Sequence, residues 1–261
     1  MGIFKLNDAY ISAEKGRKEY RLIKKEKWGE FKSDILGLGT IGIRTIQKSV
    51  VCAFFDLQGF SKFCNKEDSG QIIPKFLNKY LDWFFHQILE ETKCKEYNEG
   101  IATYHDLPFF VKFLGDGLMI LWDISDIDES SKILGNIILS TLGITEKYSN
   151  IFLPDIRNEV GNPPSKLRCG IAKGSVYSVG NNDGQDFVGT CINKASRLQN
   201  LPGITFAFSN VGITGEAFKS DEERFIKKHV DVRGIGEDEL ISILKNEYDN
   251  LDREQKKTYT D

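Results

Sequence analysis

The chain has 261 residues, of which 40% are hydrophobic and 28% charged, with a formal net charge of −3. Such a length holds one large domain, or one domain with extensions, and can bury a substantial core. The near-balanced charge gives no global pull toward nucleic acid or an anionic membrane surface, and neither is an expected partner.

Five cysteines (Cys52, Cys64, Cys94, Cys169, Cys191) show no CxxC pair and no histidines at metal spacing. That pattern predicts reduced core thiols in a cytosolic protein. No apolar run reaches the roughly 18 residues of a membrane span, and the N-terminal residues lack a signal-peptide core. Cytoplasm is the expected location.

Residues 1–47 read as an N-terminal extension. A stretch of mixed charge from Lys15 to Lys27 precedes a glycine-punctuated run, Ile35 to Gly42, and interspersed signs favour a solvated surface over a nucleic-acid arm. The main domain is expected over 48–245. It opens with Val50-Val51-Cys52-Ala53-Phe54-Phe55, a continuous apolar run typical of a strand buried on both faces. Pro74 is placed for the first turn of a helix, along which Ile73, Phe76, Leu77, Tyr80, Leu81, Phe84, Phe85, Ile88 and Leu89 keep helical spacing as a core stripe. A polar loop then leads to two apolar runs flanking Gly115-Asp116-Gly117, a hairpin over 109–122 with a tight Asp-Gly type turn.

A second amphipathic helix is expected from Ser130 to Tyr148. Leu167, Cys169 and Ile171 alternate with Lys166, Arg168 and Gly170 as a strand, and residues 174–188 form a glycine-broken second hairpin. A short helix from Cys191 to Asn200 and a strand over 205–208 follow. Val230–Arg233 and Leu240–Leu244 make a final strand pair, and a polar tail, 246–261, is expected to fray. This order suits an α+β domain: an antiparallel-rich sheet with helices packed on one face.

Two carboxylates stand out. Asp56 ends one apolar strand and Asp116 tips the hairpin, and side by side they would repel unless a cation lies between them. Hard oxygen ligands with few histidines suit Mg²⁺ or Mn²⁺, ions that also hold substrate phosphates. Asn193 and Arg197, four residues apart, share one helix face, where an amide and a guanidinium can steady phosphoryl oxygens.

These stretches resemble the class III nucleotide cyclases. Phe55-Asp56-Leu57-Gln58-Gly59-Phe60-Ser61 is similar to their first metal motif, and Lys112-Phe113-Leu114-Gly115-Asp116 to their Lys-x-x-Gly-Asp hairpin. Arg168 to Val176 resembles the strand and turn that follow. Asp186 to Leu198 resembles the Asn-x-x-x-Arg catalytic helix, and Val232-Arg233-Gly234 the late strand whose basic residue meets the triphosphate. The resemblance implies a ferredoxin-like cyclase domain over about 48–245. It implies a homodimer that converts a nucleoside triphosphate to a 3′,5′-cyclic monophosphate and diphosphate. Asp56, Leu57 and Asp116 would hold two ions, Mn²⁺ or Mg²⁺. Asn193 and Arg197 would be catalytic, supplied across the dimer axis. Phe54, Phe55, Lys112, Thr190, Cys191 and Arg233 would bind substrate, with Lys112 and Thr190 reading the base and Phe55 narrowing its pocket.

The Phe54-Phe55-Asp56-Leu57 run, Trp122 closing the hairpin, and Gly184-Gln185-Asp186-Phe187-Val188-Gly189 look most like the Pycsar pyrimidine cyclases of bacterial antiphage defence. UTP is then the expected substrate, with CTP and ATP behind. An adenylate cyclase and an inactive nucleotide-binding module are the alternatives.

Overall fold

A computed structural model describes residues 10–15, 18–23, 46–65, 69–97, 101–104, 107–125, 132–181, 184–213, 222–232 and 236–261. Residues 1–47 together with 176–188 form one unit, and 48–175 with 189–261 form a larger one.

In the smaller unit, β1 (Tyr10–Lys15) and β2 (Lys18–Ile23) pair as an antiparallel hairpin, Tyr10 opposite Ile23. The same unit takes the end of β8 (Lys166–Asn181), which pairs antiparallel with β9 (Gly184–Val188) from Tyr177–Val188 to Asn181–Gly184. This is the second hairpin expected from the glycine pattern.

The larger unit is built on a sheet. β3 (Gln47–Gln58) leads through Gly59, whose φ of 87° suits glycine, into α1 (Phe60–Cys64) and then α2 (Ser69–Thr92). Helix α2 starts ahead of Pro74, which therefore lies inside it rather than in its first turn. The expected polar loop carries β4 (Lys93–Tyr97) and β5 (Ile101–Tyr104), an antiparallel pair of its own. The hairpin strands β6 (Phe110–Leu114) and β7 (Gly117–Asp123) follow, then α3 (Lys132–Lys147), a π-helical turn (Tyr148–Phe152) and α4 (Leu153–Val160). After β8 and β9 come α5 (Thr190–Leu198), β10 (Phe206–Ser209), β11 (Phe225–Val232), β12 (Gly236–Leu244), α6 (Lys245–Asp249) and α7 (Arg253–Lys256).

The sheet order is β11-β12-β10-β8-β3-β7-β6. β10 runs parallel to β8, whereas β3/β7, β6/β7, β10/β12 and β11/β12 are antiparallel. Strand alternation sorts the side chains between two faces. Val51, Ala53, Phe55 and Leu57 of β3 join α2, α3 and α4 in the larger core, which is rich in rings: Phe76, Tyr80, Phe84 and Tyr148 are all fully buried. Each such side chain contributes on the order of 1.5–3 kcal/mol.

The expectation of helices on one face needs amending. The long helices lie there, but α5 covers the other face, where Leu198, Ala207, Ile241, Ile243, Leu251 and Tyr259 form a second core. Leu251 and Tyr259 belong to the tail expected to fray. That tail is folded back instead: His229 and Thr260 exchange backbone hydrogen bonds of 2.8 and 2.9 Å, and Tyr259 Oη donates to the Pro202 carbonyl at 2.8 Å.

Candidate active site

The hairpin turn differs in detail from the expected one. Leu114 faces Gly117 as the closing pair, so Gly115 and Asp116 are the two turn residues, and of these Gly115 has positive φ (70°). Glycine first in a two-residue loop is the type II′ preference. Gly117 is needed for a different reason. A Cβ there would stand 2.9 Å from the Phe55 carbonyl oxygen and 3.0 Å from the Phe54 ring.

That close approach sets the site. Phe55 pairs with Leu118, so the antiparallel register continues Asp56 opposite Gly117, one residue from Asp116. The two carboxylates sense each other. Burial holds the Asp116 carboxyl above the usual carboxylate range; its own backbone amide opposes this, the Asp56 charge adds to it, and Arg168 opposes it.

Arg168, from the neighbouring strand β8, completes the cluster. Its Nε donates to Asp56 Oδ2 at 3.2 Å, Nη2 reaches the same oxygen, and Nη1 donates to Asn200 Oδ1 at 2.8 Å. The Asp56 and Arg168 side chains are only 15% and 19% exposed, so the pair is shielded and each group depends on the other. Alternation along β8 put Arg168 on the face of Gly170. That β8 would lie beside β3 was a tertiary fact no local pattern carried.

Helix α5 sits on that same face over two glycines. A Cβ on Gly170 would come within 2.2 Å of the Ala195 carbonyl oxygen and 2.3 Å of the Gln199 nitrogen, and one on Gly174 within 2.9 Å of Cys191 Cβ. Cys191, Ala195 and Leu198 face inward, leaving Asn193 and Arg197 exposed on the opposite side. Among the described residues, neither bonds to Asp56 or Asp116.

The remaining expected site residues divide. Phe54 is half-buried against Gly117. Phe55 is fully buried in the larger core, its ring edge-on to Phe84 at 5.0 Å. Leu57 is likewise buried, and with an alkyl side chain it could ligate only through its backbone carbonyl. Lys112 lies half-buried on β6, and Thr190 is the exposed first residue of α5. The Cys191 thiol turns inward toward the Ser175 carbonyl, 3.7 Å away, and burial pushes it up to about 11. Arg233 lies outside the described residues.

No cluster of three or more His, Cys, Asp or Glu side chains occurs among the described residues. Two adjacent carboxylates, one with its charge held in an unfavourable setting, nevertheless fit a hard divalent ion that takes its other ligands from phosphates and water.

No family model and no curated protein sequence matches the chain. Solved structures do. The adenylyl cyclase CyaB from P. aeruginosa aligns with a TM-score of 0.58 at 18% identity, over 77% of this chain and 96% of that one. The guanylyl cyclase Cya2 aligns with 0.55 at 16%, over 76% and 92%. This chain has the nucleotide cyclase fold. The catalytic core of a rhodopsin-guanylyl cyclase with converted specificity, in complex with ATPαS, has it too (TM-score 0.52, 15% identity, 77% and 98% covered). The cyclase fold accounts for the sheet with long helices on one face, and no described helix is long and apolar enough to cross a membrane.

Proposed function

We propose that the protein is a nucleotide cyclase that converts a nucleoside triphosphate, UTP before CTP or ATP, to its 3′,5′-cyclic monophosphate and diphosphate. The observation that carries this reading is the Asp56–Asp116 pair on a cyclase-fold sheet, with Asn193 and Arg197 turned outward from α5. In the reaction the ribose 3′-oxygen bonds to the α-phosphorus. The bond from that phosphorus to the α–β bridging oxygen breaks, its electron pair leaves with diphosphate, and the hydroxyl proton goes to solvent.

Asp56 and Asp116, with the Leu57 carbonyl, would hold two divalent ions, Mn²⁺ or Mg²⁺. When bound, these supply Lewis-acid activation of the hydroxyl and neutralise phosphate charge. Arg197 stabilises charge growing on the α-phosphoryl oxygens, and Asn193 orients the ribose. Because both point away from the carboxylates of their own sheet, they act on the site of a second copy, giving a homodimer with two equivalent sites.

The base preference rests on Lys112, which offers only donors, and Thr190, which can donate or accept. Uracil presents carbonyl acceptors where cytosine carries an amino group. A role in antiphage defence, making the product a second messenger, rests on the resemblance to Pycsar cyclases alone.

The test is incubation of the purified protein with Mn²⁺ and each of the four ribonucleoside triphosphates, with products resolved by mass. Cyclic UMP as the dominant product is the expected result. Faster turnover of ATP reassigns the pocket to adenylate chemistry, and no cyclic product from any substrate leaves a nucleotide-binding module.

A further inference from the structure

The outward face of α5 does its work only if the helix is held at one rotation about its axis. Nine residues without a side-chain N-cap make a helix that is marginal on its own, so tertiary contacts must set that rotation. Leu198, at the C-terminal end of α5, joins the second core, but over Gly170 and Gly174 the helix meets strand backbone, which by itself does not hold its first turns at one rotation.

A lateral contact does. At about 100° per residue, Lys194 projects from the flank of α5, between the buried line of Cys191, Ala195 and Leu198 and the exposed line of Asn193 and Arg197. Its Nζ lies 2.7 Å from Glu239 Oε1 on β12, and the two side chains are 16% and 12% exposed. Ser209, at the end of β10 and 1% exposed, donates to the same Glu239 oxygen at 2.6 Å, and its own oxygen accepts from the Val211 amide at 3.3 Å. The carboxylate is thus fixed to the sheet from one side and grips the helix from the other.

We infer that Lys194 and Glu239 are positioning residues which set the rotation of α5, and through it the placement of Asn193 and Arg197. This rests on the reading of α5 as the catalytic helix. A rotation of about 10° at the roughly 6 Å radius of a helix with its side chains moves a terminal group by about 1 Å. A misplacement of that size costs on the order of 100-fold in rate.

The test compares Lys194→Met, which keeps the aliphatic stem, with Lys194→Arg, which keeps the cation. It uses steady-state cyclisation of UTP with Mn²⁺ and amide hydrogen exchange over residues 191–198. For Lys194→Met the inference predicts a kcat lower by roughly 10–100-fold with KM within about threefold. It also predicts exchange in α5 faster by about tenfold while exchange in β8 is unchanged, with a fall in the melting midpoint no larger than the unpairing of one shielded carboxylate causes. Lys194→Arg and Glu239→Gln, both able to keep a hydrogen bond across the gap, recover most of each.

Wild-type kcat in Lys194→Met overturns the inference, as does a rate loss in which exchange in β8 rises as much as exchange in α5. If the wild-type protein cyclises nothing, the proposed function fails by itself. The exchange data then decide whether this pair holds α5: unchanged exchange in Lys194→Met contradicts it.

Discussion

The two faces of the central sheet use the same strands for different ends. On the face under α2 and α3, β3 presents Val51, Ala53, Phe55 and Leu57 to a core of interlocked rings, and the fixed points are apolar. On the other face the same strand presents Asp56, and the fixed points are polar: Arg168 to Asp56 and Asn200, and Glu239 to Lys194 and Ser209. Neighbouring residues in one strand therefore have unrelated tasks. Phe55 packs in the ring-rich core and Asp56 faces Arg168, with a single peptide bond between them.

Substitutions at the carboxylates should separate activity from stability most sharply. Asp116→Asn and Asp56→Asn are each expected to lower turnover by at least about 1000-fold, as loss of a metal-holding group does. Their stabilities should diverge. Asp116→Asn removes a charge that burial disfavours and should leave the melting midpoint unchanged or raised. Asp56→Asn leaves Arg168 without its shielded partner and should cost about 1–3 kcal/mol. Equal melting curves for the two variants would show that the Arg168 contact carries no weight.

Phe55→Ala probes the opposite face. Removing a fully buried ring packed on Phe84 should cost about 3–5 kcal/mol in a denaturant titration, with the ranking of nucleotide substrates unaltered. A variant that stays stable and shifts toward purines would return Phe55 to the base pocket.

These contrasts also show what the sequence made legible. Apolar runs, alternation and helical spacing marked β3, the β6–β7 hairpin, α2 and α5, because each is a local period. The pairing of Asp56 with Asp116 was approachable, since two isolated carboxylates ending apolar strands are costly without a purpose. For Phe55 the resemblance supplied a position but not a direction; alternation along β3 puts it on the core face, opposite Asp56. Arg168 and the Lys194–Glu239 pair were hidden for a simpler reason. Their partners lie 112 and 45 residues away, and only the strand order brings them together. The C-terminal segment was misjudged from average polarity, although Leu251, Tyr259 and the Asp252–Gln255 capping box are signals of order.

A smaller effect concerns pH. Cys52, Cys169 and Cys191 are buried thiols pushed upward, Cys191 to about 11. The unfolded chain ionises these thiols near their usual value while the folded chain holds the protons. Stability is therefore full below about pH 8.5 and declines as pH rises toward 11, with Cys191 alone, shifted by about two units, contributing roughly 2–3 kcal/mol of the fall. Melting midpoints measured between pH 7 and 10.5 should fall, and a Cys191→Ser variant should fall less. A flat profile would mean that the thiols are not shielded.

The central claim, that the carboxylates of one chain work with the α5 face of another, is tested most directly by subunit mixing. Asp116→Asn and Arg197→Ala should each be inactive alone. When differently tagged chains are mixed and allowed to exchange, about half the dimers carry one of each, and every such dimer has one intact site and one lacking both groups. The predicted result is recovery of about a quarter of wild-type activity, following simple counting over a two-fold dimer. Mixed dimers that form, as the two tags report, and still cyclise nothing would contradict it.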